Sequence, residues 1–513
     1  MVNFNEDLSN NKLPDYTESY WIASSSFPSF NEVSGDFSAD IVIVGAGITG
    51  ITTAYLLSRE GLKVTVLDAG KILNGTTGHT TAKVTVQHNL IYDELISNLG
   101  KEKAQLYYNA NNEALKFIYN TISENNISCD FKKEDAYIFT NSEEYEEKLI
   151  KEFKAYGELG INGEYLDSIP IPVPIRAALK IKDQAQFHPL KYLHFMVEFL
   201  IKNQSTLYEN TEIIDIEPGE NTVLTTSKGH EIQAKQVVIA SHFPFCDEKG
   251  LYFARMYAER SYVLGIKPEK KFPGGMYISA EGPGRSIRST PFGEGELLLI
   301  GGENHKTGQG PDTMSHYEAL KQFADETFGV SSMEYRWSAQ DLTTLDMVPY
   351  IGHLTSDFEN IYVATGYRKW GMTNATAAAP ILRDMIIGVE NPYTELFTPS
   401  RFNADPSIKN AVTQNANVAK NLIKGKLEIP SEDYNALNPD EGKVVSYKGN
   451  RAGAYKDKEG NLHIVDTTCT HMGCELQWNS GDRSWDCPCH GSRFSFQGKV
   501  IEGPALQPLK KLK

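Results

Sequence analysis

The sequence predicts an α/β body followed by a small all-β C-terminal domain, and three observations carry that expectation. At 513 residues the chain exceeds what one ordinary hydrophobic core holds, so two or three domains are expected. From Ala39 the order strand, glycine turn, helix, strand is written in "ADIVIVGAGITGITTAYLLSREGLKVTVLDAG". After Ile429 the texture changes to short alternating segments such as "KVVSY" and "NLHIVD", separated by the turn "KDKEGN", as in a small antiparallel domain.

Charge and composition narrow the partners. Asp and Glu outnumber Lys and Arg by 66 to 50, a net charge of -16, which argues against a nucleic acid held through its phosphates and against an anionic membrane surface. No apolar run reaches the roughly eighteen residues of a spanning helix, and the opening "MVNFNEDLSNNKLPDYTESYW" is polar and acidic where a signal peptide is basic and then apolar. A cytoplasmic protein without a transmembrane segment is expected, with small molecules or proteins as partners. The domain boundaries expected are an N-terminal extension at 1–38, the α/β body at 39–395, a polar connector with a late helical pattern at 396–429, and the C-terminal domain at 430–513.

The first motif is "IVIVGAGITG". A strand of β-branched residues runs into Gly45, Gly47 and Gly50, with Ala46, Ile48 and Thr49 between and beside them. The first glycine makes the tight turn, the second lets backbone approach a pyrophosphate, and the third allows close packing of helix on sheet. The next strand, "KVTVLD", ends at Asp68, placed to take ribose hydroxyls. A dinucleotide is expected, and the fingerprint serves NAD and FAD alike. No second Gly-x-Gly-x-x-Gly follows a strand, so a dedicated NAD(P)H site is not expected.

The following "NGTTGHTTAK", the strand "AKQVVIASHFPF", and the late segments "RWSAQDLTTLDMVPYIGHL" and "NIYVATGYRKWGM" together resemble the D-amino-acid oxidase and glycine oxidase family of flavoproteins, over residues 38–389. The resemblance implies FAD as the cofactor. It also implies a Rossmann-type FAD domain that is discontinuous, interrupted by an α+β substrate domain at about 90–208 and 253–340. On that pattern Thr77, His79, Thr80, Gly366, Gly371, Met372 and Thr373 join the glycine loop around the flavin. A helix starting at Gly371 would offer its partially positive N-terminus to the charge that builds on a reduced flavin. His79 falls where the dimethylglycine dehydrogenase relatives carry a histidine bonded to the flavin's 8α-methyl. Gly75, Thr76, Thr77 and His79 match that segment, while Gly78 stands in place of its tryptophan. A loop histidine beside phosphates or ring edges is the alternative.

Four of the six cysteines and two of the twelve histidines lie in "CTHMGCELQWNSGDRSWDCPCHGS", residues 469–492. Cys129 and Cys246 lie far apart and read as ordinary buried thiols, so no secreted disulfide framework is expected. Cys469-x-His471 and Cys487-x-x-His490 resemble the two ligand loops of a Rieske protein, two cysteines on one iron and two histidines on the other of a [2Fe-2S] cluster. Structural zinc, which also uses Cys and His at short spacings, is the runner-up. In the cytochrome bc type of Rieske protein the residues at the positions of Cys474 and Cys489 form a disulfide, and the resemblance implies one here. Ser492 sits where such proteins donate to a bridging sulfide, and Phe494 stands where they have tyrosine. One fewer hydrogen bond to sulfur lowers the potential within a Rieske range of roughly -150 to +300 mV. Rieske oxygenases add a mononuclear iron, but Asp183, His188 and His194 have the wrong spacing for it and read as structural.

The substrate is the least legible part. Arg288 and His305, with Arg368, Lys369 and Trp370 beside the late flavin motif, are the candidates to line a pocket, Arg288 as a fork for a carboxylate. The expected function is an FAD-dependent dehydrogenase that takes a hydride from a small amine or amino acid and passes electrons singly through the Rieske cluster to a protein or quinone. The second reading is an electron-transfer protein that exchanges electrons with protein partners and turns over no organic substrate.

Overall fold

The computed structural model of the chain describes residues 12–401, 404–427, 430 and 434–513. The first eleven residues of the expected N-terminal extension, and the expected boundary at 429/430 in part, lie outside the described residues. The elements that carry the argument are β1 (Phe37–Val44), α1 (Ile48–Arg59), β2 (Val64–Leu67), β3 (Glu231–Ile239), β4 (Met256–Pro268), β5 (Val330–Thr344), β6 (Ile361–Thr365), α2 (Gly371–Ile387) and α3 (Ala404–Leu427).

Two large sheets build the body. In the first, of eight strands, β6, β3, β1, β2 and Thr206–Tyr208 run parallel in that order, and Tyr350–His353 pairs antiparallel to β6. The second half of β1, Ile41 to Val44, is buried throughout, the apolar run of a strand covered on both faces. α1 covers one face against α2, with all but its last residue buried. The parallel strands β1, β2, β3 and β6 deliver Gly45, Asp68, Ala240 and Gly366 to one edge of the sheet, the carboxyl-end crevice where such folds bind ligands.

The second sheet has nine strands, and its order ends β5–β4–Gly295–Lys306 at one side and Lys83–Val84 at the other. It draws on Lys83 to Gln186 and on Met256 to Thr344, so it begins before residue 90 and its last strand runs past residue 340. The early start has a local cause: Lys83 and Val84 pair with Gln186 and Ala185, at the end of the strand Ala177–Gln186. Met314–Phe328 packs a helix on one face of this sheet through Tyr317, Leu320 and Ala324.

The C-terminal region holds a three-stranded and a four-stranded antiparallel sheet, at Glu441–Val465 and Gln477–Glu502. Among the described residues no helix is long and apolar enough to cross a membrane. Residues 12 to 33 are more than an extension. Trp21 is fully buried and donates from Nε1 to the Thr80 carbonyl at 2.6 Å, and Arg336 donates to the Pro14 carbonyl at 2.5 Å.

Candidate functional site

The glycine loop is a close-packed turn. At Gly45, φ is +107°, and a Cβ there would sit 2.4 Å from the Ala240 carbonyl oxygen where β3 ends. A Cβ at Gly50 would lie 1.9 Å from the Gly45 carbonyl oxygen, so only glycine lets α1 press on the turn. The N-cap Gly47 supplies no side chain, and the first amides of α1 face the crevice as a ready anion cradle. Of these, the Ile48 amide donates to Thr77 Oγ1 at 2.9 Å, which ties the loop to the 3-10 turn Thr76–His79. Asp68 braces the loop, accepting the Ala46 amide at 2.9 Å and the Gly70 amide at 2.8 Å. Thr49 Oγ1 donates to the Tyr367 hydroxyl at 3.0 Å, joining the loop to the late segment.

At the late segment α2 begins with no capping side chain and no acid in its first turn, so its partial positive end is uncompensated. His88, which the sequence reading did not single out, organises this end. Its ring stacks on Trp370 at 5.0 Å, its Nε2 lies 2.9 Å from Thr373 Oγ1, and its Nδ1 lies 2.7 Å from the Tyr107 hydroxyl. Burial, with Arg368 nearby, pulls its pKa down to about 3, which keeps the imidazole neutral. Trp370 and Met372 are therefore buried walls, and the Thr373 hydroxyl is held by His88. His79 Nδ1 lies 2.8 Å from the Gly75 carbonyl, and the His79 carbonyl accepts from Trp337 Nε1 at 2.8 Å. Burial lowers the pKa of His79. Two helix N-termini without an acidic residue in their first turns, one behind a glycine loop too tight for side chains, suit a dinucleotide's pyrophosphate and an anionic ring edge.

Two of the expected pocket residues stand elsewhere. The Arg288 guanidinium is buried and donates to the carbonyls of Thr81, Ala82, Phe187 and Ser289, clipping three segments together. His305 stacks with Tyr262 and His316 on the face of the second sheet that the 314–328 helix covers. Further polar residues on the His79 side of the sheet come from alternation along β4 and β5. Trp337 donates from Nε1 to the His79 carbonyl, so alternation puts Asp341, four residues on, on that same face of β5, and the Thr343 backbone bridges to Tyr367 just beyond. Glu259 of β4 is its cross-strand partner, and Lys369 lies near both.

The opposite face of these two strands carries the C-terminal domain. A Cβ on Gly491, where φ is +82°, would come 2.4 Å from the Ala258 Cβ and 3.0 Å from Gln340 Oε1. Buried Arg260 reaches Glu502 at 2.7 Å, Ser338 Oγ at 2.5 Å and Asp482 at 3.5 Å. Arg493 bonds Asp482 at 2.8 Å and Asp486 at 3.0 Å, and Arg336 donates to the Gly481 carbonyl at 2.8 Å. The charges in this buried network are mutually neutralised, the condition under which buried ions are tolerated.

Against that face the two C-terminal loops meet. Cys474 and Cys489 form a disulfide with Cα atoms 6.5 Å apart. The Cys487 sulfur lies within 4.8 Å of both disulfide sulfurs. Cys469 and Cys487 remain free and buried, and their thiols interact. Hydrogen bonding from Cys487 pulls the Cys469 thiol below its usual range, while the same contact and burial push Cys487 up. The imidazoles of His471 and His490 stand edge to face at 5.1 Å, and the Nδ1 of each is buried without a partner. Buried polar atoms rarely go unpaired. Two soft thiols and two orphaned ring nitrogens converging here fit a metal centre of mixed sulfur and nitrogen ligation. Ser492 bonds to Cys469, and Phe494 is fully buried beside them.

Comparison with known proteins gives these sites their identity. Residues 40–385 match the model of the FAD dependent oxidoreductase family (DAO). The chain belongs to that family. Residues 429–513 match the Rieske [2Fe-2S] domain, so the DAO body binds FAD and the tail binds a [2Fe-2S] cluster, and the zinc alternative falls. The chain is 48% identical to YhfW of Bacillus subtilis (strain 168), named as a Rieske 2Fe-2S iron-sulfur protein, over 96% of this chain and 97% of that one. It is 23% identical to gamma-glutamylputrescine oxidoreductase of Escherichia coli (strain K12), over 73% and 90% of the two chains. The fold is similar to that of glycine oxidase from Geobacillus kaustophilus, with TM-score 0.61 at 17% identity, covering 71% of this chain and 99% of the other. The chain is thus an FAD-dependent oxidoreductase whose Rieske domain implies electron transfer.

Proposed function

We propose that this DAO-family chain is a dehydrogenase that oxidises a small amine or amino acid and passes the electrons, one at a time, to an external acceptor through its own Rieske domain. One observation carries the reading. β4 and β5 carry Trp337, Asp341 and Glu259 on one face, and on the other meet the second cluster loop through Ala258 and Gln340 and the rest of the tail through Arg260. On this reading a single sheet layer separates the two cofactor sites.

When bound, FAD supplies two-electron acceptance from a C–H bond next to nitrogen, and the cluster supplies one-electron steps. The chain's own residues do the rest. The α1 and α2 amides bind and orient the dinucleotide, and Trp370 excludes water. Asp341 and Glu259 favour an ammonium group in the cleft, and Asp341 can hold a proton there. This supports an amine more than a carboxylate clamped by arginine, since Arg288 is engaged with backbone carbonyls. The E. coli relative's name denotes an amine substrate, which agrees with the same class.

The test is anaerobic mixing of the holoprotein with a panel of amines and amino acids, following flavin absorbance and the rhombic electron paramagnetic resonance signal of the reduced cluster. Flavin bleaching followed by growth of that signal is expected with at least one amine. Failure of the whole panel, with rapid reduction by a ferredoxin-like protein, overturns it in favour of an electron-transfer protein without organic substrate.

A further inference from the structure

A second contact joins body and tail beside the cluster loops, and its role rests on the reading of the cluster as the flavin's relay. Asp247 opens the short helix Asp247–Gly250 and is buried. Its Oδ1 accepts the Phe253 amide at 2.7 Å, and the Leu251 amide closes back on its carbonyl at 2.7 Å. Leu251 holds φ at +52°, so the chain doubles back and keeps the carboxylate in place. Oδ2 then lies 3.3 Å from Nε2 of His471.

The two ring nitrogens of His471 thus have different surroundings. Nδ1 is buried without a partner, left for iron, while Nε2 meets a fixed carboxylate from the other domain. The Phe253 ring stands edge-on to both imidazoles, at 5.7 Å from His471 and 5.3 Å from His490. That apolar cover keeps water from screening the charge. Among the described residues no carboxylate lies within ion-pair reach of His490, so the two ligands are inequivalent.

We infer that Asp247 is a positioning residue that lowers the reduction potential of the cluster by acting through His471. A negative charge behind a ligand favours the cluster state of higher positive charge, which is the oxidised one, and a carboxylate behind a ligating histidine raises its basicity in the same direction. Reduction adds one electron to the cluster and makes or breaks no bond at Asp247. The electron comes from the flavin, and oxidation of one substrate supplies two in succession. A lowered potential makes the cluster a better donor to the outside acceptor and a less avid drain on the flavin.

The experiment is an anaerobic redox titration of the holoprotein, following the rhombic signal and the flavin spectrum together, for wild type, Asp247→Asn, Asp247→Ser and Asp247→Glu. The neutral variants are expected to move the cluster midpoint to more positive potential and shift its g values, with the flavin midpoint unmoved. Asp247→Glu, which keeps the charge, should return toward wild type. An unchanged cluster midpoint in a neutral variant overturns the inference. So does loss of the cluster from both neutral variants while Asp247→Glu retains it, because that assigns Asp247 a scaffolding role. A wild-type protein with no rhombic signal overturns the relay reading itself, a different result from a signal whose midpoint ignores Asp247.

Discussion

Asp341 lies mid-strand, and its surroundings give it a testable titration. Burial raises its pKa to about 7; Lys369 and Arg260 oppose the rise, while Glu259 and Glu502 add to it. Below that value the carboxyl is neutral and offers an ammonium substrate little; above it the carboxylate attracts one. kcat/KM for a cationic amine is therefore expected to climb several-fold between pH 6 and 8, and Asp341→Asn to flatten that limb in a pH profile. The same shift has a sign for stability. Between the unfolded value of about 4 and the folded value of about 7 the folded chain holds the extra proton, so stability falls as pH rises through that window. Asp341→Asn is expected to remove that slope in denaturant titrations of the substrate-free protein, a change of up to ~1.4 kcal/mol per pH unit. Gly50 makes a sharper case. Any Cβ there meets the Gly45 carbonyl oxygen at 1.9 Å, so Gly50→Ala is expected to cut the flavin-to-protein ratio of the purified holoprotein at least tenfold. Retention of the cluster's rhombic signal would show that the tail still folds. Both glycines announce themselves in the sequence because their spacing is local. The role of Arg288 does not, because the carbonyls it clips belong to residues about a hundred and two hundred positions away.

At the scale of elements, β4 and β5 join the two halves of the chemistry. Their pairing runs from Met256 with Thr344 to Pro268 with Val330, and alternation sends neighbouring residues to opposite sites. A single sequence shows "RWSAQDLTTLDM" as a strand near the flavin, but which strand lies beside it is a long-range fact. Without that partner Glu259 and Asp341 are not visibly a pair, and Arg260 is not visibly a docking residue. The C-terminal loops were legible for the opposite reason. Cys469, His471, Cys487 and His490 lie within 22 consecutive residues, and their types alone state the chemistry. Gly491, inside the second loop, reports on the junction. A methyl there would push against Ala258, so Gly491→Ala is expected to move the cluster loop off β4. Stopped-flow mixing with substrate should then show flavin bleaching at the wild-type rate and cluster reduction slowed at least tenfold. Equal slowing of both phases would instead place the effect at the flavin.

For the whole molecule, the question is whether the Rieske domain swings or stays. Arg260, Arg336 and Arg493 meet Asp482, Asp486, Glu502 and the Gly481 carbonyl in a buried junction, and Thr313 adds a 2.7 Å bond to Asn479. Undocking the domain would part Arg260 from Glu502 and Asp482, Arg336 from the Gly481 carbonyl and Thr313 from Asn479 at once, while Arg493 stays paired with Asp482 and Asp486 inside the tail. On the proposed relay, a docked domain passes electrons without a diffusive step. The rate of cluster reduction after flavin bleaching is therefore expected to be independent of protein concentration and of added glycerol at constant pH. A mobile carrier would instead slow as viscosity rises, because domain motion would limit the rate. Arg260→Met provides the contrast. It removes the cation between Glu502 and Asp482, loosens the junction, and should make the same phase slower and newly sensitive to viscosity, while the substrate-dependent bleaching of the flavin keeps its rate. Viscosity dependence already present in the wild-type chain would mean that the docked arrangement is one position of a moving domain, and the relay would have to be redrawn as a swing between two stations.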